Sequence, residues 1–213
     1  MRLLILLLLM TLWPLLGRAQ EFIPGSYELA NGTKANGLLS YETGPKARLL
    51  VKDPKADPAS KAGQKAQEFA AGKVRAFTMA GDRYVMLRSI TLDSGRPGTA
   101  VSRKNDFGKL LIDGRLELVE YDGPAPAAPA HPRGPAAQPE APKPAGQPKV
   151  YLLRRQGEDE AFSLPVVGKK YREMLTAFFD GRPDLIKKVG LKPMPDEDLR
   201  ELVKLYNSGS TGQ

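Results

Sequence analysis

The sequence predicts an α+β fold, in which an antiparallel, barrel-like sheet of about seven or eight strands is followed by C-terminal α-helices packed on it. Two observations predict this order. Short alternating apolar and polar runs, separated by turn dipeptides, fill the chain between Tyr27 and Tyr121 and are typical of a meander of strands. From Tyr171 onwards the apolar residues recur at intervals of three and four, which is typical of amphipathic helices.

Three turn signals each separate two strand-like runs, and each pair of runs predicts a hairpin. The turns are Asn31-Gly32, Ala80-Gly81-Asp82 and Asp113-Gly114. The flanking runs cover residues 27–30 and 37–41, 74–79 and 83–92, and 107–112 and 116–121. A further strand is predicted at 48–52, whereas the polar segments 53–65 and 94–106 contain Gly and Pro and predict loops.

Residues 124–148 interrupt this pattern with a tract in which 17 of 25 residues are Pro or Ala. Such a segment cannot bury an apolar face, so we expect it to be disordered and biased towards polyproline II. The runs before it (116–121) and after it (150–153) are both strand-like, which favours an insertion in a hairpin loop. The alternative is an interdomain linker, which would leave residues 149–213 to fold alone and would favour a spacer or adaptor function.

Three helices are predicted at the C-terminal end. The first covers 171–179, and Pro183 begins a short second helix. The third ends at Tyr206 and has three acidic residues in its first turn, where the helix dipole favours negative charge. We therefore predict a single α+β domain over residues 20–206, followed by a disordered tail at 207–213.

The first 19 residues are predicted to be a secretory signal peptide. Arg2 precedes an almost entirely apolar run over residues 3–16, and Gly17 and Ala19 supply the small residues of a cleavage site. The run is shorter than the roughly 20 apolar residues of a spanning helix, which disfavours the alternative of a retained membrane anchor. Cleavage near Ala19 would make the protein periplasmic or secreted.

The composition excludes several kinds of site. The chain has no cysteine, so disulfides, thiol nucleophiles and thiolate metal sites are excluded. Its one histidine, His131, lies in the Pro/Ala tract, where no third group would hold it as a metal ligand or a general base. We therefore predict no cofactor and no metal.

Three segments carry a resemblance to a known group of proteins. They are Gly25–Tyr41 with its Asn-Gly turn, the hairpin segment VRAFTMAGDRYV at 74–85, and the closing helices at 171–207, which end in LVKLYN. In these segments the chain resembles uncharacterised secreted or periplasmic proteins of Bacteroidota. The turn of that group is Asn-Gly-Asp-Thr, whereas here Thr33 follows Asn31-Gly32 directly. The resemblance implies export and a β-then-α layout, and the group has no known activity to carry over.

Residues 46–75 carry a net charge of +5, within a chain whose net charge is +8. A basic surface outside the cytoplasm suits an anionic glycan, lipopolysaccharide or a membrane surface, and export disfavours nucleic acid. The alternative is a solubilising surface with no single partner. The candidate ligand-binding residues are Lys46, Arg48, Lys52, Lys55, Lys61, Lys65, Lys73 and Arg75.

Two sets of carboxylates are candidates for acid–base or calcium chemistry. They are Asp93, Asp106, Asp113 and Asp122 at predicted turns, and the cluster Glu158, Asp159 and Glu160. Turn aspartates hydrogen-bond their own backbone, and the cluster lacks the spacing of a calcium loop. We therefore predict a non-catalytic binding or envelope-associated protein, with a carboxylate-based hydrolase of envelope polymers as the alternative. Two carboxylates in one cleft would favour the hydrolase.

Overall fold

The computed structural model describes residues 21–57, 60, 65–93, 100–123, 150–165, 168–192 and 194–209. The predicted signal peptide, the Pro/Ala tract with His131, Lys61 and residues 210–213 of the predicted tail lie outside these residues. None of the described helices is long and apolar enough to cross a membrane.

The described residues form ten strands and three α-helices, together with a 3-10 turn at Ala71–Lys73. The strands are β1 Ile23–Leu29, β2 Lys34–Glu42, β3 Arg48–Lys52, β4 Gln67–Ala70, β5 Val74–Met79, β6 Asp82–Leu92, β7 Val101–Ile112, β8 Leu116–Tyr121, β9 Val150–Arg155 and β10 Glu160–Ser163. The helices are α1 Lys169–Phe178, α2 Pro183–Ile186 and α3 Asp196–Ser208. The predicted α+β class with a barrel-like sheet is confirmed, but the predicted count of seven or eight strands is too low.

All ten strands belong to one sheet, whose order is β10-β9-β8-β7-β6-β5-β1-β2-β3-β4. A parallel pairing between β10 and β6 closes the five strands β6 to β10 into a barrel. Strand β6 is long enough to serve two parts of the sheet. Its first half pairs with β5 through Asp82–Val85, and its second half pairs with β10 through Ser89–Thr91. The remaining strands therefore extend from the barrel as an open sheet.

Each part of the fold has its own apolar cluster. Alternate residues of β8 point to opposite sides, since Val119 belongs to the cluster of the barrel strands while Leu118 packs with the three helices. This explains why all six residues of β8 are buried. A third cluster packs on the open sheet, and in it the rings of Phe77 and Phe107 are in edge-to-face contact with their centres 5.2 Å apart. Such edge-to-face contacts are a favoured geometry for aromatic pairs.

The predicted hairpins are present with their turns at Asn31-Gly32, Ala80-Gly81 and Asp113-Gly114. Three strand segments were missed: β4, β10 and the first half of β7, which begins at Val101 inside the predicted loop 94–106. The four residues of β4 are largely exposed at the sheet edge, and the first five residues of β7 include four that are exposed. Exposed strands keep no apolar alternation, so their sequences look like loops.

The strands on either side of the Pro/Ala tract are neighbours. Strand β8 pairs antiparallel with β9, and Tyr121 lies opposite Val150. Residues 122–149 therefore connect two adjacent strands of the closed barrel.

The three C-terminal helices cover the outside of the barrel, and the last helix is tied to a hairpin. Asn207 accepts a hydrogen bond from the Leu116 N–H and donates one to the Leu116 carbonyl, each at 2.9 Å. Gly114 leaves the space for this amide, because a Cβ there would lie 2.5 Å from Asn207 Nδ2. Asn207 and Ser208, which we assigned to the tail, thus lie in the last turn of α3.

Candidate functional site

Asp106 lies where the open sheet meets the barrel, and its hydrogen bonds connect the two parts. Its side chain is buried and accepts hydrogen bonds from the N–H of Gly44 (2.9 Å), the N–H of Phe107 (2.8 Å) and the hydroxyl of Tyr121 (2.6 Å). Burial raises the pKa of the Tyr121 hydroxyl, and the hydrogen bond to Asp106 raises it further. Asp106 therefore holds the turn between β2 and β3 against β7 and β8.

Asn105, which precedes Asp106, and the 3-10 turn at Ala71–Lys73 border the same region. Asn105 has a φ of 53°, a left-handed conformation that asparagine adopts more readily than most residues. The 3-10 turn faces it, because a Cβ built on Gly72 would lie 3.5 Å from Asn105 Cγ. Lys104 and Asn105 are exposed at this point, although the next residue, Asp106, is buried.

Between these walls lies a depression of about 500 Å³, which we call the basic depression. It is lined by Pro45, Lys46, Ala47, Arg48, Glu68, Ala70, Ala71, Gly72, Lys104 and Asn105. Three cations and one carboxylate thus share the lining. Its volume lies within the range of roughly 300–1,000 Å³ that is common for small-molecule sites.

The Arg48 guanidinium is neutralised by its neighbours. It donates to Glu42 through Nε (2.8 Å) and Nη2 (3.1 Å), and to Glu68 through Nη1 (2.8 Å). The hydrogen bonds to Glu42 raise the pKa of Arg48 above its ordinary value. Arg48 and its two carboxylate partners therefore form a wall of the depression that adds no net positive charge to it.

Lys46 and Lys104 are different, because both are exposed and neither contacts a carboxylate of the described residues within 4 Å. They come from the β2–β3 turn and from β7, which the hydrogen bonds of Asp106 bring together. Two uncompensated ammonium groups at one depression attract an anion.

The structure brings together only part of the predicted basic segment. Lys46 and Arg48 line the depression, and Lys73 follows Gly72 of its wall. Lys52 lies at the far end of β3, with its ammonium 4.2 Å from the centre of the Phe22 ring. Arg75 pairs with Glu28 at 3.0 Å. The remaining described members, Lys55 and Lys65, are exposed in the segments before β4.

Lys104 was missed, because it lies in the segment that we predicted as a loop. The sequence does hold a signal for it. In Lys104-Asn105-Asp106, a residue that tolerates a left-handed conformation stands between a cation and an acid.

A second depression, of about 470 Å³, lies between α1 and the barrel, and we call it the helix groove. It is lined by Asp93, Arg155, Glu158, Phe162, Pro165, Lys170, Glu173, Met174, Ala177 and Phe178. Phe162 and Phe178 form its aromatic part, with ring centres 6.1 Å apart.

Most charged side chains of the helix groove bond to neighbouring side chains or backbone groups. Lys170 pairs with Asp93 at 3.6 Å, and Glu173 pairs with Lys169 at 3.3 Å. Arg155 donates to the Ala177 carbonyl at 2.8 Å, near the end of α1, where the helix dipole favours a cation. The groove thus contains three carboxylates, of which Glu158 makes no side-chain ion pair with a described residue.

The other predicted carboxylates are spread over the surface. Asp113 lies 3.7 Å from Arg83, and Asp159 lies 3.4 Å from Arg88. Glu160 accepts a hydrogen bond from the Thr91 hydroxyl at 2.8 Å. Within the described ranges, no three Asp, Glu, His or Cys side chains come together as metal ligands.

The chain matches no protein-family model, no curated protein and no solved structure. The two depressions described above differ in how their charges are paired. Lys46 and Lys104 of the basic depression are in no ion pair with a described residue, whereas Asp93, Lys170 and Glu173 of the helix groove each are.

Proposed function

We propose that the protein is exported, is non-catalytic, and binds an anionic saccharide of the cell envelope at the basic depression. One observation carries the proposal. Lys46 and Lys104 line the same depression, and neither ammonium group contacts a carboxylate of the described residues. The predicted signal peptide supports the envelope as the place where the ligand is met.

The rigidity of the site supports binding by a preformed surface. Asp106 fixes both the turn that carries Lys46 and the strand that carries Lys104, so the backbone under the two lysines needs little ordering when a ligand binds. Arg48 is already held between Glu42 and Glu68, which fixes the shape of the wall.

The proposal is tested by equilibrium binding of the purified protein to lipopolysaccharide, with phosphatidylcholine vesicles as a neutral comparison. Replacing both Lys46 and Lys104 with Ala should weaken binding about tenfold or more, because two charge-assisted contacts are lost. The matched control replaces Lys187 and Lys192, two exposed lysines of the helical part, and removes the same charge. The proposal is wrong if both double variants bind as tightly as the original protein.

A carboxylate-based hydrolase is the second candidate, because Asp93, Glu158 and Glu173 line the helix groove together. Hydrolysis of a glycosidic bond requires one carboxyl group to act as an acid and another as a base or nucleophile. The binding function is favoured, since Asp93 and Glu173 already pair with lysines. Release of reducing sugar from envelope polymers by the original protein, and its loss in Glu158→Gln, would reverse this preference.

A further inference from the structure

The basic depression is too large for a lone ion and is not purely basic. Its volume of about 500 Å³ could hold a small organic molecule. Besides the cations it contains the Asn105 amide, which can donate and accept hydrogen bonds, and the Glu68 carboxylate, which can accept them. Alanine and proline residues supply apolar surface between these groups.

This combination suits a polyhydroxylated anion. The uncharged hydroxyls of a sugar need both donors and acceptors, and its C–H faces need apolar contact. Lys46 and Lys104 are in no ion pair with a described residue, and their two ammonium groups can share the three acceptor oxygens of a phosphate monoester, which carries a charge of roughly −1.5 to −2 at neutral pH. A sugar carboxylate offers the same two groups only two oxygens and a single charge.

The placement of the other basic residues argues against an extended polyanion. Such a ligand needs cations along its whole length. Here Lys52 lies against Phe22, and Arg75 is paired with Glu28, which Lys34 also approaches at 3.8 Å. Lys52 and Arg75 are therefore held away from the basic depression, where Lys46, Arg48 and Lys104 are the cations of the lining.

We infer that the basic depression recognises a single phosphorylated sugar unit. The phosphate lies between Lys46 and Lys104, and the sugar hydroxyls face Asn105 and Glu68. This inference rests on the proposed function, which it narrows from anionic saccharides in general to phosphate monoesters of sugars. A free sugar phosphate and a phosphorylated sugar in a lipid-linked saccharide share this chemistry.

The inference is tested by calorimetric titration of the full chain with four probes. Glucose 1-phosphate should bind at least about tenfold more tightly than inorganic phosphate, glucuronic acid or glucose, because only the first offers both the charge and the hydroxyls. Comparing lipopolysaccharide with enzymatically dephosphorylated lipopolysaccharide distinguishes a lipid-linked source from a free one.

Asn105→Gly is the sharpest variant, because glycine accepts the φ of 53° and only the amide is lost. It should weaken glucose 1-phosphate binding about threefold or more and leave inorganic phosphate binding unchanged. The inference is overturned if glucose 1-phosphate binds no more tightly than inorganic phosphate or glucuronic acid, or if Asn105→Gly lowers affinity for both phosphates equally. If lipopolysaccharide binding still depends on Lys46 and Lys104, the proposed function survives that result. If it does not, the proposed function fails as well.

Discussion

At the scale of single residues, the most consequential side chain is Asp106. A buried carboxylate costs free energy unless its oxygens are hydrogen-bonded, and Asp106 has three donors around it. In the sequence Asp106 looks like a turn residue, and a turn aspartate would hydrogen-bond its own local backbone. Two of its three partners, Gly44 and Tyr121, are distant in the sequence, so no local pattern could have predicted them.

We expect Asp106→Asn to lower the free energy of unfolding by about 2–4 kcal/mol. The amide nitrogen would replace one of the two oxygens, so its N–H groups would face either the Gly44 N–H and the Tyr121 hydroxyl or, in the other orientation, the Phe107 N–H. Urea unfolding followed by circular dichroism measures this loss. Tyr121→Phe removes one donor only and should cost about 1 kcal/mol. An Asp106→Asn protein within about 0.5 kcal/mol of the original would contradict this account of the buried carboxylate.

Asn207 is the second residue whose role the sequence concealed. It looks like the start of a polar tail, but its amide pairs with both backbone groups of Leu116. Asn207→Asp keeps the size of the side chain, yet one carboxylate oxygen would face the Leu116 carbonyl. We expect this variant to lose about 1–3 kcal/mol in thermal unfolding.

Ser208→Ala is the neighbouring control for Asn207, because among the described residues the exposed Ser208 side chain bonds the Leu205 carbonyl of its own helix and nothing outside that helix. Its effect should stay within about 0.5 kcal/mol. Equal melting temperatures for Asn207→Asp and the original protein would show that the hydrogen bonds between Asn207 and Leu116 do not stabilise α3.

At the scale of elements, the sequence predicts best those strands and helices that bury one face. The hairpin of β5 and β6 and the helices α1 and α3 were predicted from alternation or helical periodicity, and each has a buried face. Strands β4 and β10 have only four residues each, which is too short for a periodic signal. Closure of the barrel through β10 and β6 is a pairing between distant segments, which periodicity cannot reveal.

The β8–β9 pair predicts the effect of removing the Pro/Ala tract. Because Tyr121 already lies opposite Val150, residues 124–148 can be replaced by Asn-Gly without separating the strands. A shorter loop has a smaller closure entropy, so we expect the free energy of unfolding to rise by about 1–2 kcal/mol. Chemical denaturation should show one cooperative transition.

A Gly/Ser replacement of equal length is the control for the tract, and it should unfold as the original protein does. Separation of the shortened protein into two transitions, or loss of its folded spectrum, would instead support the interdomain-linker alternative. Neither outcome depends on the function of the basic depression.

At the scale of the whole molecule, the predicted leader decides which ligands the protein can meet. Removal of Arg2 and Arg18 with the leader would reduce the net charge from +8 to +6. We expect cell fractionation and N-terminal sequencing to find a protein that begins at Gln20 outside the cytoplasm. Ala19→Arg should block cleavage, because the site needs a small residue, whereas Gln20→Asn should not. A cytoplasmic protein that begins at Met1 would contradict export and remove the basis for an envelope ligand.

A buried tyrosine and a partly buried one, in different parts of the sheet, predict a loss of stability at alkaline pH. Burial raises the pKa of both Tyr41, which packs on Phe77 and Phe107, and Tyr121, which bonds Asp106. A tyrosine whose pKa is higher in the folded protein stabilises it fully below its unfolded pKa of about 10, and this stabilisation is lost as the pH rises through the folded value. The free energy of unfolding should therefore begin to fall between about pH 9 and about pH 10 and keep falling as the pH rises further. Tyr121→Phe removes one of the two groups, so its stability should fall less steeply over the same interval, although the variant is less stable at neutral pH. Urea unfolding at each pH measures the two slopes, and parallel curves for the variant and the original protein would show that the Tyr121 hydroxyl does not couple folding to pH.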